Sequence, residues 1–303
     1  MAHTNDVQLV ENDGWDERIL VCRNGQLVDT FIVVTERYVV VVDTMINPET
    51  AVSLLAHARP FLNDGRQLLV INTHADYDHA WGNQIFAGAE ALHPAPTIGS
   101  RLSLPLFRDP DVVALLEEFQ GQEPSIFGDV VLTPPTILVD ERLLIDGGDL
   151  TLELFATPGH TPDHLSLYIP EISTLLAADA AELPFPFARA VACLPHMRKS
   201  LARLAAFNAD VALYCHAPVT TGPQLLHDNI AYFDLLERKC RAALAQGVPA
   251  SPGEDEDVAV LVGCSLEAAV PRGAHWQDVD DYFRTDGHAA QLRMMLEWLG
   301  GQE

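Results

Sequence analysis

Basic residues are scarce in this 303-residue chain. Lysine occurs only at Lys199 and Lys239, and Lys plus Arg number 18 against 43 Asp plus Glu, a net charge of −25. Binding a phosphate backbone relies on clustered Lys and Arg, whereas the arginines here are scattered. Nucleic acid and membrane are therefore not expected partners, and a solvated acidic surface accounts for most of the charge. Cysteine is also sparse. Cys22, Cys193, Cys215, Cys240 and Cys264 are odd in number and form no C-x-x-C pair, which argues against a disulfide framework or a thiolate zinc knuckle. No stretch approaches the roughly 18–20 unbroken apolar residues that span a bilayer. The opening "MAHTNDVQLVENDGW" has neither the basic start nor the apolar run of a secretory signal, so the expected compartment is the cytoplasm.

What is present is an ordinary globular composition, 48% apolar and 20% charged. "RILVCRNGQLVDTFIVVTERYVVVVDT" is apolar and β-branched, broken by turn-like Asn24-Gly25 and Thr35-Glu36-Arg37, and predicts three antiparallel strands. "NPETAVSLLAHARPFL" predicts a helix with Asn47 as N-cap and Pro48 in its first position. "RQLLVINTH" predicts a short buried strand ending at His74, with a helix starting after His79. A looser, Pro-containing region over 94–140 carries one expected helix, "PDVVALLEEFQ". Strand signals return over 143–180, residues 195–208 read as helix, "DVALYCH" as strand, and the chain from Pro223 as mostly helical. The pattern predicts a layered α/β domain over 1–222, with 223–303 as a helical C-terminal extension packed on it in one globular unit.

The chemistry concentrates in "HADYDH", which places His74, Asp76, Asp78 and His79 within six positions. That spacing is too tight for one face of a regular element and suits a strand-to-helix loop, where side chains can converge on more than one ion. Partners exist downstream: His160 in "TPGHTPDH", Asp179 in "LLAADA" and His216 in "LYCH", each following an apolar strand. Such strand ends are where open α/β folds present functional groups.

These four segments, in this order over roughly 18–222, resemble the metallo-β-lactamase superfamily, whose signature is H-x-H-x-D-H, a His in T-P-G-H-T, then an Asp and a His. The resemblance implies an αββα sandwich of two mixed β-sheets flanked by helices. It also implies two divalent metal ions, zinc in the first instance. His74, Asp76 and His160 would hold the first, Asp78, His79 and His216 the second, and Asp179 would bridge them. Metal-bound hydroxide would attack a carbonyl, with Asp78 doubling as proton acceptor. A bound divalent ion makes such a nucleophile accessible by lowering the pKa of water towards ~7.

Asp76 departs from the signature, which has His there. His74, Asp76 and His160 then amount to two His and one carboxylate, the arrangement of non-haem iron, and the flavodiiron branch carries a carboxylate, as Glu, at the same place. Iron or manganese become alternatives to zinc. An iron redox enzyme and a non-catalytic ligand-binding relative become alternatives to the hydrolase, although no flavin domain is visible. His164 is expected to support the loop or a ligand. His93, His196, His227, His275 and His288 lack partners at ligand spacing. Leu106, Phe107, Phe119, Phe127, Phe185 and Phe187 offer either an apolar substrate wall or plain packing, and Tyr77 either orients substrate or packs. A small-molecule substrate of lactone, ester, thioester or β-lactam type is expected, since few basic residues stand near the motifs. Met294, Met295 and Trp298 on the last helix would pack on the core or form a lid or homodimer face.

Overall fold

The expected architecture, two mixed β-sheets flanked by helices with a helical C-terminal segment, is the one observed in the computed structural model, which describes residues 3–270, 279 and 281–302. His275 lies outside the described residues. The chain divides into two compact units, residues 1–156 with 163–176, and residues 157–162 with 177–303.

In the first unit, β1 (Val7–Leu9), β2 (Ile19–Asn24), β3 (Val28–Val34) and β4 (Tyr38–Val42) pair antiparallel. The three strands expected here are β2–β4; β1 is an addition, too short at three residues to show a pattern. All seven residues of β3 are buried, and its second half, Phe31–Val34, runs apolar on both faces rather than alternating. β5 (Gln67–Ile71), β6 (Thr97–Ser100) and β7 (Ile137–Val139) extend the sheet in parallel. β8 (Arg142–Asp146), β9 (Thr151–Ala156), β10 (Leu165–Ile169) and β11 (Thr174–Leu176) pair antiparallel in the second sheet.

The parallel register of β4 on β5, with Val42 opposite Ile71, carries both chains off the sheet together, and Asp43 N donates to Ile71 O at 2.7 Å. The residues just past both strand ends, Asp43 and Asn72–Asp76, are thereby neighbours.

Helix α1 (Pro48–Ala58) starts as expected, with Asn47 as its N-cap in a capping box with Thr50. Asn47 Oδ1 accepts from Thr50 N at 2.8 Å, and its Nδ2 donates to Ile126 O at 2.8 Å. Asn47→Ala removes the cap and strands a carbonyl, so it should destabilise the protein by about 2 kcal/mol. The check is a lowered urea midpoint with an unchanged denaturant slope.

The helix expected after His79 begins earlier. α2 (Tyr77–Ala80) contains Asp78 and His79 and stops after one turn. The reason is Gly82: a Cβ there would lie 2.2 Å from Thr44 O and 2.7 Å from Ala51 Cβ, so the chain passes too close to the start of α1 to continue a helix with side chains. The looser 94–140 region holds more structure than the single helix expected. Beside β6 and β7 it contains α3 (Ser103–Leu106), α4 (Pro110–Gln122) and α5 (Pro124–Phe127). Only α4 is long enough to show helical apolar spacing.

The second unit contains α6 (Leu194–Ala205), β12 (Val211–Leu213), α7 (Gln224–Ala245), α8 (Val258–Val262), α9 (Leu266–Ala269) and α10 (His288–Gly300). α7 and α10 share a buried seam. Met295 is inside it, and Trp298 pairs with Phe233 at 6.2 Å between ring centroids, so both pack within this unit. His288 is structural: its Nε2 donates to Cys264 O at 2.9 Å, which leaves Nδ1 to accept from the Tyr232 hydroxyl at 2.8 Å. Among the described residues no helix is long and apolar enough to cross a membrane.

Candidate metal centre

The first unit gathers four of the predicted ligands. β5 ends at Ile71, and the loop that follows is fixed by a reciprocal amide pair. Asn72 Nδ2 donates to Asn83 Oδ1 at 2.9 Å, and Asn83 Nδ2 donates to Asn72 Oδ1 at 2.8 Å. On this rigid loop and the turn of α2, the rings of His74 and His79 lie 4.1 Å apart, both buried. His74 Nε2 is 3.8 Å from Asp76 Oδ2, and His79 Nε2 is 3.7 Å from Asp78 Oδ2. Asp76 occupies the N-cap position of α2, yet its side chain makes no cap hydrogen bond. An Asp there ordinarily caps; this one is turned towards His74 instead.

Asp43 orients both imidazoles. It is fully buried at φ +65°, a backbone conformation that Asp tolerates better than most residues. Its carboxylate accepts from Thr73 N at 2.7 Å, Thr73 Oγ1 at 2.7 Å and His79 Nδ1 at 2.9 Å. Because the Thr73 hydroxyl spends its proton on Asp43, it accepts from His74 Nδ1 at 3.0 Å. Both rings are thus held with the proton on Nδ1 and a lone pair on Nε2, the tautomer a metal ligand requires. Burial pushes the Asp43 carboxyl above its ordinary range, and His79 and the Thr73 donors pull it back. His164 is buried, with its ring 5.1 Å from that of His74.

The second unit gathers the other three. His160 follows β9 in a turn pressed against α6. Ser200 Oγ donates to Pro158 O at 2.6 Å, and a Cβ on Gly159 would fall 2.8 Å from Met197 Cα, so the motif glycine is required by close approach. Asp179 stands in the tight turn Ala178–Ala180, and His216 follows β12. One oxygen of Asp179, Oδ2, is 3.2 Å from His216 Nε2 and 3.7 Å from His160 Nε2. His160 Nδ1 donates to Phe187 O at 2.7 Å, and Glu182 Oε1 lies 2.9 Å from the same nitrogen. Glu182 is buried, and burial raises its carboxyl above the usual range while His160 draws it down.

Ligands on one ion sit about 2.0–2.2 Å from it, so at tetrahedral angles neighbouring donors are about 3.3–3.6 Å apart. The pairs within each unit, at 3.2 to 3.8 Å, bracket that spacing to within about 0.2 Å. The donors are imidazole and carboxylate, a set suited to zinc, iron or manganese.

Asp43 and Glu182 are the residues that sequence reasoning missed. Each has a faint signal: Asp43 ends the apolar run "VVVVD", and Glu182 is the one acid in "AELPFPFARAV". A charge at the end of a buried strand or inside an apolar stretch needs a partner. The aromatic residues resolve mainly as packing. Phe127 and Phe185 are fully buried, and Tyr77 joins an edge-on cluster with Trp81 at 5.8 Å and Phe119 at 5.4 Å. His93 pairs with Arg59, and His196 and His227 are exposed.

The Lactamase_B family model, described as the metallo-beta-lactamase superfamily, matches residues 23–216, a span that contains all seven predicted ligands. The chain belongs to this superfamily. A "Hydroxyacylglutathione hydrolase" from Mesorhizobium japonicum is 36% identical over 78 residues, covering 25% of this chain and 30% of that protein. The chain therefore matches less than a third of that relative's length. A metallo-beta-lactamase from Pontibacter korlensis superposes with a TM-score of 0.58 at 18% identity, over 76% of this chain and 99% of that one. The stereoselective inverting sec-alkylsulfatase Pisa1 from Pseudomonas sp. superposes with a TM-score of 0.58 at 19% identity, over 79% and 45% of the two chains. At these identities the superpositions establish a shared fold.

Proposed function

We propose that this superfamily member is a metal-dependent hydrolase of carbonyl substrates: lactones, esters, thioesters or β-lactams. In this reading His74, Asp76 and His160 hold one divalent ion, Asp78, His79 and His216 a second, and Asp179 is shared. The observation that carries it is that, within each unit, imidazole Nε2 atoms stand 3.2 to 3.8 Å from carboxylate oxygens, while the Nδ1 sides of His74, His79 and His160 are occupied. Bound there, the ions would supply an acidified water and a Lewis acid for the carbonyl oxygen. Asp43 and Thr73 keep two rings in the ligating tautomer, and Asp78, buried beside His79, would accept a proton from a nucleophile formed there. The relative named as a hydrolase supports the reaction class. The substrate is a small molecule and the setting the cytoplasm.

A second reading, iron redox chemistry, is favoured by one feature, the Asp76 carboxylate turned to His74 in place of an imidazole. The test is a panel of lactone, ester, thioester and β-lactam substrates, run with and without a chelator. Hydrolysis lost on chelation and restored by zinc or manganese supports the hydrolase. Oxygen consumption with no hydrolysis moves the assignment to the redox reading. In the same preparation, Asp76→Ala should release one of two bound ions, read by mass spectrometry. Retention of both would remove Asp76 from the ligand set.

A further inference from the structure

Between Asp179 and α6 runs the segment 182–189, which touches the ligand residues of its own unit from both ends. Arg189 N donates to His160 O at 3.0 Å, Leu183 N approaches His216 O at 3.4 Å, and the Phe187 carbonyl takes the His160 ring proton at 2.7 Å. The segment has no sheet or helix of its own to fix it. Two buried amides do so instead. Asn229 on α7 accepts from Glu182 N at 2.9 Å and donates to Glu182 O at 3.0 Å. Gln291 on α10 accepts from Ala188 N at 3.1 Å and donates to Ala188 O at 3.0 Å. Between the two clamps the Phe185 ring stacks on Tyr232 of α7 at 4.7 Å and 8°. Each clamp satisfies a backbone N–H and C=O that would otherwise be orphaned in a buried strap.

We propose that Glu182, Asn229 and Gln291 are positioning residues for the metal ligand His160, so that the C-terminal helices hold the metal centre's geometry through the 182–189 strap. The proposal rests on the reading of His160 as a ligand. The Phe187 carbonyl keeps the proton on His160 Nδ1 and the lone pair on Nε2, and the Glu182 carboxyl, with Oε1 2.9 Å from the same nitrogen, lies beside it as a charge contact. If the strap slides, the Phe187 carbonyl leaves the ring and His160 loses both its tautomer and its direction. Asn229 and Gln291 lie outside the matched span of 23–216, so this support is carried by helices that the family model does not include.

The test uses cobalt(II) as probe on the full-length apoprotein, reading dissociation constants by competition and the visible d–d bands that report ligand geometry. Gln291→Met keeps volume and removes the clamp, and Glu182→Gln keeps shape and removes the charge. Each should weaken cobalt binding by about 10–100-fold and alter the bands. Tyr232→Phe is the control, since it removes a buried hydrogen bond between the same two helices and keeps the stacked ring. It should lower thermal stability and leave the cobalt spectrum unchanged. Parent-like cobalt affinity and bands in Gln291→Met, with binding lost in His160→Ala, would overturn the strap and leave the metal reading standing. Should Gln291→Met fail to fold, Glu182→Gln decides by the same criterion. No cobalt binding by the parent would instead overturn the metal reading, and the strap proposal with it.

Discussion

Asp179→Asn should abolish the proposed hydrolysis, by more than the ~100-fold typical of losing a supporting residue, while leaving the metal-free protein at least as stable as the parent. The two halves of this result have opposite signs for one reason. Asp179 Oδ2 is the oxygen common to His160, at 3.7 Å, and His216, at 3.2 Å. A neutral amide of the same shape contributes no charge there, so both proposed ions lose a ligand together. Without metal, however, Asp179 is a buried carboxylate whose charge also makes its buried neighbour Glu182 harder to ionise. Removing that charge relieves part of the cost of burying it. The measurements are kcat/KM on the reactive substrate and melting temperature with and without metal. The parent gains stability on metal addition by mass action, and the variant does not. A variant that melts lower than the parent without metal would mean that Asp179 is held by protein contacts rather than reserved for an ion.

The second large effect is at Asp43, where Asn keeps the size and tolerates the left-handed backbone at φ +65°. The carboxylate takes three donors on two oxygens, and Asn offers one oxygen. If the amide nitrogen faces Thr73 N, a buried N–H is left unsatisfied at a cost of about 1–3 kcal/mol. If it faces His79 instead, that ring can only accept on Nδ1, and its proton moves to Nε2, the nitrogen assigned to the metal. Either orientation destabilises the protein or disarms a ligand. Asp43→Asn should therefore lower stability by about 1–3 kcal/mol and weaken metal binding by about 10–100-fold. Denaturant midpoints and metal competition measure the two effects. Unchanged metal affinity would show that His79 is oriented without Asp43.

The candidate site residues were legible because each stands in a short motif after an apolar stretch, as with "LLVI" of β5 ahead of His74. The α1 boundary was legible for a similar reason: Asn47-Pro48 is a local signal that tertiary structure did not override. What escaped depends on contacts distant in sequence. β1, β6 and β7 are three or four residues long and exist through pairing, so a window of sequence carries no period for them. The stop of α2 after one turn follows from Gly82 meeting the backbone of Thr44, almost forty positions earlier. Asp43 reaches Thr73 and His79 only because β4 and β5 lie parallel in register. Glu182 reaches His160 only because Asn229 and Gln291 hold the strap between them. A single charged residue in an apolar stretch signals that a partner exists, and the fold decides which.

The most direct test of the central claim is the number of metal ions bound per chain, counted by mass spectrometry on protein purified without added metal and again after reloading with zinc, manganese or iron(II). About two ions per chain are expected, of the kind His and carboxylate ligands hold, with loss of both in Asp179→Asn. A chain that binds no ion after reloading with any of the three would contradict that claim.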